Sequence, residues 1–409
     1  MRIVFYNPHT NVWFKKPLYF YLTNRKSVNK YEYFLDYIIQ NKIDFSFLAD
    51  GRNFSFGRKY FNSIFLAKLE IFIWAFLNNI NPFKIKVLSK ISKLESEDVL
   101  FIFLYGSLMS TPNSDKGKKI TKELIEELKK TKALKVGHLT HFMYDAKELG
   151  INTKEAEIDI FIAENNLKKN SRFFNKYFTW YNNEVSVLPF VAQNRFKNYT
   201  QFSKRKNLAV ATGTLPFPMK NKEFIDFFNT TDIHPMRRRI YENRNSLKSM
   251  INSFIFEMGE NKKSKNFNIN FIDKVSNYYF SHFHNKQTNY FAFDIVKLYN
   301  SHKMFVVPEE INGLPGIGFI EGTMCGCVLI GKAGDYYEEL GFVDGVNFIS
   351  YDGTLTDLVD KIIFYQENTI ILENIANNSY EFVKKNFNEY EVSSNFINKI
   401  QATISQKFY

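Results

Sequence analysis

Residues 313–331 read GLPGIGFIEGTMCGCVLIG. Gly313, Pro315, Gly316 and Gly318 precede one carboxylate, Glu321, and an apolar run ends the stretch. Just upstream, FVVP (305–308) reads as a strand end, and open parallel sheets take their ligands where strands end and loops turn into helices. Glycine leaves no Cβ between the backbone and an approaching anion. A helix beginning near Ile317 turns its free N–H groups toward that anion and places Glu321 about one turn inside, able to accept hydrogen bonds from a diol such as a ribose. The stretch therefore predicts a site for a nucleoside diphosphate. Gly313, Gly316, Ile317 and Gly318 serve the phosphates, and Glu321 serves the sugar hydroxyls. Loop, carboxylate and apolar strand in that order form a more specific signal than a glycine-rich loop alone.

On either side of this stretch, strand-like runs alternate with helical ones. MRIVFYN (1–7), IDFSFLA (43–49), VLFIFLYG (99–106), LKVGHLTHF (134–142), IDIFIA (158–163) and VSVLPFV (185–191) are apolar runs of strand length. KKITKELIEELKKTK (118–132) repeats its apolar residues at helical spacing. A second series starts with NLAVATGTL (207–215) and continues through IDKVSNYYFSHF (272–283) and DIVKLYNSHKMFVVP (294–308). It ends with GCVLIG (326–331), NFISYDG (347–353) and the helical LTDLVDKIIFYQ (355–366). Between the series, QNRFKNYTQFSKRKN (193–207) is polar, basic and aperiodic, a natural linker. A chain of 409 residues exceeds one ordinary core. Strand alternating with helix implies α/β architecture with mostly parallel sheets. The expected organisation is a domain over 1–200, a second over 206–389, and a terminal helix over 390–409.

The stretch 313–331 resembles the nucleotide-sugar loop of retaining GT-B glycosyltransferases, the group 1, family 4-like enzymes. In that pattern a Glu-Gly-Phe-Gly is followed by Glu-Ala-Met-Ala-Cys-Gly and an apolar strand. Gly316 matches the loop glycine, Glu321 the second glutamate, Met324 the methionine, and Gly326 the glycine before the strand VLIG. The family's first glutamate falls on Gly313, and Glu309 and Glu310 stand close to it but out of register. The resemblance is strongest from Asp294 to Gly353. It implies two Rossmann-like, doubly wound domains facing across a cleft, the second binding a nucleotide-sugar donor and the first an acceptor. It further implies that the terminal helix packs back toward the first domain. Glu321 would bind the donor's ribose, while the loop amides would bind its diphosphate and sugar, with Gly213 in ATGTL and Glu310 joining the donor site. The donor is a substrate, so no cofactor is expected.

Two further clusters fit that reading. IHPMRRRIYENR (233–244) follows the second domain's first strand, and such enzymes use an Arg or Lys from this region to neutralise the leaving diphosphate. Consecutive arginines spread around a helix; Arg237 or Arg238 is expected in the role ahead of Arg239, the alternative being a solvated basic face. In KVGHLTHFMYD (135–145), His138 and His141 stand three apart and so cannot share a strand face. His141 lies where related enzymes carry a histidine facing the donor sugar, with Asp145 able to orient it; the alternative is a structural histidine. His9, Lys15 and Lys16 in NPHTNVWFKKP (7–17) are candidates for acceptor or phosphate contact.

Charge is unevenly spread. Residues 1–200 hold 31 Lys and Arg against 19 Asp and Glu, whereas the remainder holds 23 of each. The basic half points to an anionic partner of the first domain alone. FNSIFLAKLEIFIWAFLNNINPFKIKVLSKISK (61–93) is dense in large apolar residues, but Lys68 and Glu70 interrupt the uninterrupted run of about 18 that a spanning helix needs. It reads either as a core helix with a basic loop or as an interfacial helix. In the second case Phe72, Trp74 and Phe76 enter lipid headgroups, with Lys84, Lys86, Lys90 and Lys93 on anionic lipid.

The absences also discriminate. No Asp-x-Asp anchors a metal-dependent scheme, and no Walker loop or serine elbow occurs. The two cysteines, Cys325 and Cys327, are one residue apart and suit reduced cytosol. MRIVFYN shows no basic and apolar leader pattern, so no signal peptide is expected. The composition, rich in Asn, Lys, Ile, Phe and Tyr, fits an AT-rich bacterial genome. The expected activity is metal-independent sugar transfer to a surface glycan of the capsule, O-antigen or lipopolysaccharide type. The expected location is the cytoplasm, peripheral to the inner membrane face. The competing readings are a nucleotide-sugar epimerase of the same fold and a nonenzymatic binder of nucleic acid or membrane. Against nucleic acid, aromatics are not interleaved with Lys and Arg in a single-strand-binding pattern.

Overall fold

The computed structural model describes residues 1–6, 13, 30–49, 64–109, 115–257 and 294–408. The chain divides into two compact units, Met1–Pro189 with Glu389–Tyr409, and Phe190–Asn388.

Unit 1 is built on a seven-stranded parallel sheet. Its strands are β1 (Arg2–Tyr6), β2 (Phe45–Leu48), β3 (Lys86–Leu88), β4 (Asp98–Phe103), β5 (Leu134–His138), β6 (Ile160–Ala163) and β7 (Ser186–Val187). The spatial order is β3-β2-β1-β4-β5-β6-β7. β1 and β4 pair with Val4 opposite Leu100, and nearly every residue of both is buried. Helices cover both faces of such a sheet, so its strands are continuous apolar runs without alternation. At the amino edge Arg2 donates to both carboxylate oxygens of Asp98, at 2.8 and 2.6 Å, joining the starts of β1 and β4. The helix Asp115–Lys130 buries Leu124, Ile125 and Leu128 and turns Lys118, Lys119, Lys122, Lys129 and Lys130 outward. The terminal helix Glu389–Phe408 lies on the helix Glu32–Gln40, with Phe396 against Phe34 at 5.4 Å and Tyr390 against Tyr37 at 5.6 Å.

The segment 61–93 is described from Ile64 onward. It forms a helix Ile64–Leu77, a short turn of 3-10 helix at Pro82–Lys84, and β3. Trp74 is 2% exposed and meets Phe47 edge-on at 5.8 Å, so it belongs to the core and does not reach a lipid headgroup. Phe72 and Phe76 lie on the solvent side.

Unit 2 carries a five-stranded parallel sheet of β8 (Lys206–Leu215), β9 (Ile251–Glu257), β10 (His302–Val306), β11 (Val328–Lys332) and β12 (Ile349–Tyr351), in the order β12-β11-β10-β8-β9. Ala209, Ala211, Met304, Val306, Val328, Ile330 and Ile349 form the sheet side of its core, and Leu358, Ile362, Leu372 and Ile375 form the helix side. β9 lies in a stretch from which no strand is expected by sequence. IDKVSNYYFSHF lies outside the described residues. The polar run 193–207 is fixed to unit 2: Asn300 donates to Lys197 O and accepts from Tyr199 N–H, and Arg205 donates to Asn198, Thr200 and Cys325. Cys325 and Cys327 are buried free thiols, and burial pushes Cys325 up to about 12.

Candidate functional site

In unit 2 the strand order reverses at β8, which has β9 on one side and β10 on the other. The crevice beyond the carboxyl ends of β8 and β10 is the place where such a sheet takes a ligand. Gly213, near the end of β8, has φ +142°, and a Cβ there would lie 2.5 Å from Arg237 Nε and 2.6 Å from its Cζ. Arg237 is brought over by the helix Pro235–Glu242, which starts on Pro235, a residue suited to a first helical position because it lacks an N–H. That start is tied to the loop after β10: Ile311 N–H donates to Ile233 O at 2.8 Å, and His234 Nδ1 lies 3.3 Å from Glu309 O. Arg237 is buried and donates to Thr214 O at 2.7 Å and Pro308 O at 3.5 Å. One guanidinium thus bridges the ends of β8 and β10.

The other two arginines diverge. Arg238 is held by Asp232 at 3.2 Å and Glu257 at 2.9 Å, and Arg239 is exposed.

The loop after β10 is tightly packed. A Cβ on Gly316 would meet Val307 at 2.8 Å; one on Gly318 would meet Val307 and the Tyr299 hydroxyl at 2.9 Å. The Tyr299 hydroxyl lies 3.3 Å from Thr212 Oγ1 on β8. The helix Gly318–Met324 begins after Ile317 and is only 7 residues long, so its dipole is a minor contributor. Its start matters through single amides. Phe319 and Ile320 donate to Gly316 O and Ile317 O, while the N–H groups of Gly316, Ile317 and Gly318 meet no acceptor among the described residues. Glu321 follows, half-buried in the first turn. Gly322 sits on the Phe305 ring, where a Cβ would come within 2.5 Å. Glycine therefore lets this helix lie directly on β10.

The two acids ahead of the loop differ. Glu309 is buried, and its Oε1 accepts from Lys332 N–H and the Tyr337 hydroxyl, each at 2.9 Å. Burial raises its pKa, against the lowering effect of the Lys332 N–H. Glu310 is half-buried at a closed turn, where Glu310 N–H donates to Leu314 O and Gly313 N–H returns to Glu310 O. Gly313 adopts φ +87° there.

Unit 1 gathers polar groups at the carboxyl ends of β5 and β6. His138 is fully buried against Trp13, Tyr31 and Phe103, at ring distances of 5.3, 4.7 and 6.2 Å. Thr140 donates to Glu164 Oε1 at 3.0 Å, which leaves its oxygen to accept from His138 Nε2 at 3.4 Å. His141 has a left-handed backbone, φ +66°, and packs between Tyr105 and Tyr144 at 5.7 and 5.9 Å. Burial, aided by Lys30, lowers His138 to about 3 and His141 to about 4, so both rings are neutral at pH 7. Asp145 stands at the N-cap position of the next helix, Ala146–Glu155, and its side chain makes no capping bond there. His9, Lys15 and Lys16 lie outside the described residues. Thr140 and Glu164 are absent from the sequence expectations. The signal for Glu164 is an acid directly after the apolar run IFIA, the same pattern that places Glu309 after FVVP.

No family model and no curated protein matches the chain by sequence. Among solved structures, sucrose-phosphate synthase from Thermosynechococcus elongatus aligns over 100% of this chain and 100% of its own, at 10% identity and a TM-score of 0.50. HepE of Anabaena in complex with UDP-glucose covers 98% of this chain and 100% of its own, at 13% identity and a TM-score of 0.48. A glycosyltransferase from Rickettsia africae covers 99% of each, at 12% identity and a TM-score of 0.43. Identities this low speak to fold alone. Two doubly wound parallel sheets, together with the full-length match to the synthase, give that fold as GT-B, made of two Rossmann-like units.

Proposed function

We propose that this protein is a glycosyltransferase. It moves a sugar from a nucleotide-sugar donor to a surface glycan of the capsule, O-antigen or lipopolysaccharide type, with retained anomeric configuration and no metal ion. The observation that supports the donor most directly is the carboxyl edge of β8 and β10. There a buried guanidinium, three amides without acceptors among the described residues, and a half-buried carboxylate occupy the end of one sheet.

In this reading the bond from the anomeric carbon to the diphosphate oxygen breaks, and the diphosphate departs with the electron pair. Arg237 and the amides of Gly316, Ile317 and Gly318 offset the charge that develops. The anomeric carbon accepts the oxygen of an acceptor hydroxyl, whose proton passes to the departing diphosphate. Glu321 holds the ribose hydroxyls. Preorganised donors of this kind change kcat by roughly a hundredfold to a thousandfold when one is removed.

The test is thermal stabilisation by UDP, GDP, CMP and dTDP, followed by hydrolysis of the matching sugar donors. One nucleotide at a hundred times its Kd is expected to add about 2.7 kcal/mol, a shift of several degrees. If none of the four shifts the melting point, the donor site does not exist as described. Product anomers read by NMR decide retention, and activity unchanged by EDTA decides metal independence.

A further inference from the structure

We infer that unit 1 docks on an anionic lipid surface through the solvent side of the helix Ile64–Leu77 and the segment that follows it. The inference rests on residues of unit 1 alone and goes beyond the donor reading. A helix with one face in a core ordinarily presents a polar face to water. This helix buries Ala67, Ile71, Trp74 and Ala75, yet its opposite stripe is Phe65, Lys68, Phe72 and Phe76. Those four recur at spacings of three and four, so they share one face. Phe65 is 70% exposed, Phe72 43% and Phe76 72%, and Phe83 beyond the helix is 87% exposed. Phe83 meets Phe72 edge-on at 5.7 Å, which joins the two elements into one aromatic surface. Clustered exposed apolar groups of this size mark an interaction site.

The charge around the patch selects its occupant. Between residues 64 and 94 the only acid is Glu70, which is buried, whereas Lys68, Lys84, Lys86, Lys90 and Lys93 are all exposed. Protein interfaces are depleted in lysine, so this combination fits a protein partner poorly. Phenylalanine that enters the acyl boundary, with lysine at the level of acidic headgroups, is the pattern of a helix lying in a membrane surface. Among the described residues no helix is long and apolar enough to cross a membrane, which agrees with a surface position.

The experiment floats the full chain with vesicles of phosphatidylcholine alone and of phosphatidylcholine with phosphatidylglycerol, at low and high salt. The protein is expected to rise with the phosphatidylglycerol vesicles at low salt and to stay behind in the other conditions. Each lysine near an anionic leaflet changes partition roughly fivefold, so Lys84→Glu/Lys86→Glu/Lys90→Glu lowers it about a hundredfold or more. Phe72→Ser/Phe76→Ser/Phe83→Ser also abolishes flotation, with an unchanged melting point because these side chains are exposed. Binding indifferent to phosphatidylglycerol, binding retained by both variants, or no binding at low salt overturns the inference. So does a dimer, seen by light scattering, that the phenylalanine variant dissociates, since a second copy then covers the face. Nucleotide stabilisation measured on the same variants separates this result from the donor site.

Discussion

Replacing Gly213 with alanine strikes the candidate donor site where it is most closely packed. At φ +142° an L side chain carries backbone strain of about 1–3 kcal/mol. The new Cβ would also stand 2.5 Å from Arg237 Nε and 3.0 Å from Cδ, so the guanidinium must leave its place. Nε and Cδ are not the flexible tip of the side chain, and Arg237 is buried, so the displacement breaks its bond to Thr214 O. A hydrogen bond from a charged donor contributes about 1.5–3 kcal/mol. Together the two effects give a loss of about 2.5–6 kcal/mol in unit 2. Nucleotide affinity should fall roughly tenfold to a hundredfold if Arg237 binds diphosphate.

A double-mutant cycle isolates the cause. In an Arg237→Ala protein the extra methyl meets no guanidinium, so only the backbone strain remains, and Gly213→Ala should leave nucleotide affinity almost unchanged. The assay is the melting point of the four proteins with and without the nucleotide that stabilises the parent, plus calorimetric titration of that nucleotide. Coupling of about 1.5–3 kcal/mol between the two sites is expected. If the two changes add within about 0.5 kcal/mol, Arg237 is not wedged against β8 and the geometry given for the site is wrong.

Glu321→Ala should weaken the nucleotide that stabilises the parent roughly tenfold to a hundredfold while leaving its 2′-deoxy form less affected; equal losses for both would remove the ribose role. The folded-state values of about 3 for His138 and about 4 for His141 lie below the ordinary value of about 6.5. The unfolded chain therefore takes up protons that the folded chain refuses, and stability falls as pH drops from about 6.5 toward 4. His138→Asn with His141→Asn should flatten that part of the urea-midpoint profile, and an unchanged slope would assign the acid sensitivity to other groups. Glu309→Ala orphans the Lys332 N–H and the Tyr337 hydroxyl at about 1–3 kcal/mol each, so the melting point should fall by several degrees. Glu309→Gln keeps an acceptor and should lose less; a Glu309→Ala protein that melts like the parent would show that the carboxylate does not hold β10 to β11.

The interior strands were legible because both faces are covered. RIVFY, DVLFIF and the middle of NLAVATGTL are runs that only a sheet between helix layers explains. β9 was not legible, because INSFIFE is an edge strand with mostly half-exposed residues and a polar Asn-Ser near its start. β3 has three residues, too few for any period. VSVLPFV contributes only Ser186–Val187 to the sheet, since Pro189 has no N–H to offer a ladder. At the site, the sequence shows that arginines sit after the first strand of unit 2, but consecutive helix residues point about 100° apart. The choice among them is made by Asp232 and Glu257, which capture Arg238, and by Gly213, which leaves room for Arg237. Trp74 shows the same limit: its type suits an interface, and its position on the helix sends it into the core.

Position 313 shows what a departure from a family pattern means physically. The pattern's sugar-contacting glutamate aligns with Gly313, and the simplest account would be a lost side chain on an unchanged loop. The structure argues otherwise. Gly313 has φ +87°, and its N–H closes onto Glu310 O at 2.9 Å while Glu310 N–H reaches Leu314 O at 3.0 Å. The turn needs a left-handed residue at 313, where a glutamate would be strained. Gly313→Glu should therefore fail to improve donor binding, because it distorts the turn before it can supply a carboxylate. Of the two acids nearby, Glu309 is committed to Lys332 and Tyr337. Glu310 stands at the other end of the same turn and is half-buried. If Glu310 has taken over the sugar contact, Glu310→Ala raises KM for the nucleotide sugar and leaves the Kd for the free nucleoside diphosphate unchanged. An equal loss for both ligands would place Glu310 at the nucleotide or in the fold of the loop. The sugar would then be bound without an acid from this turn.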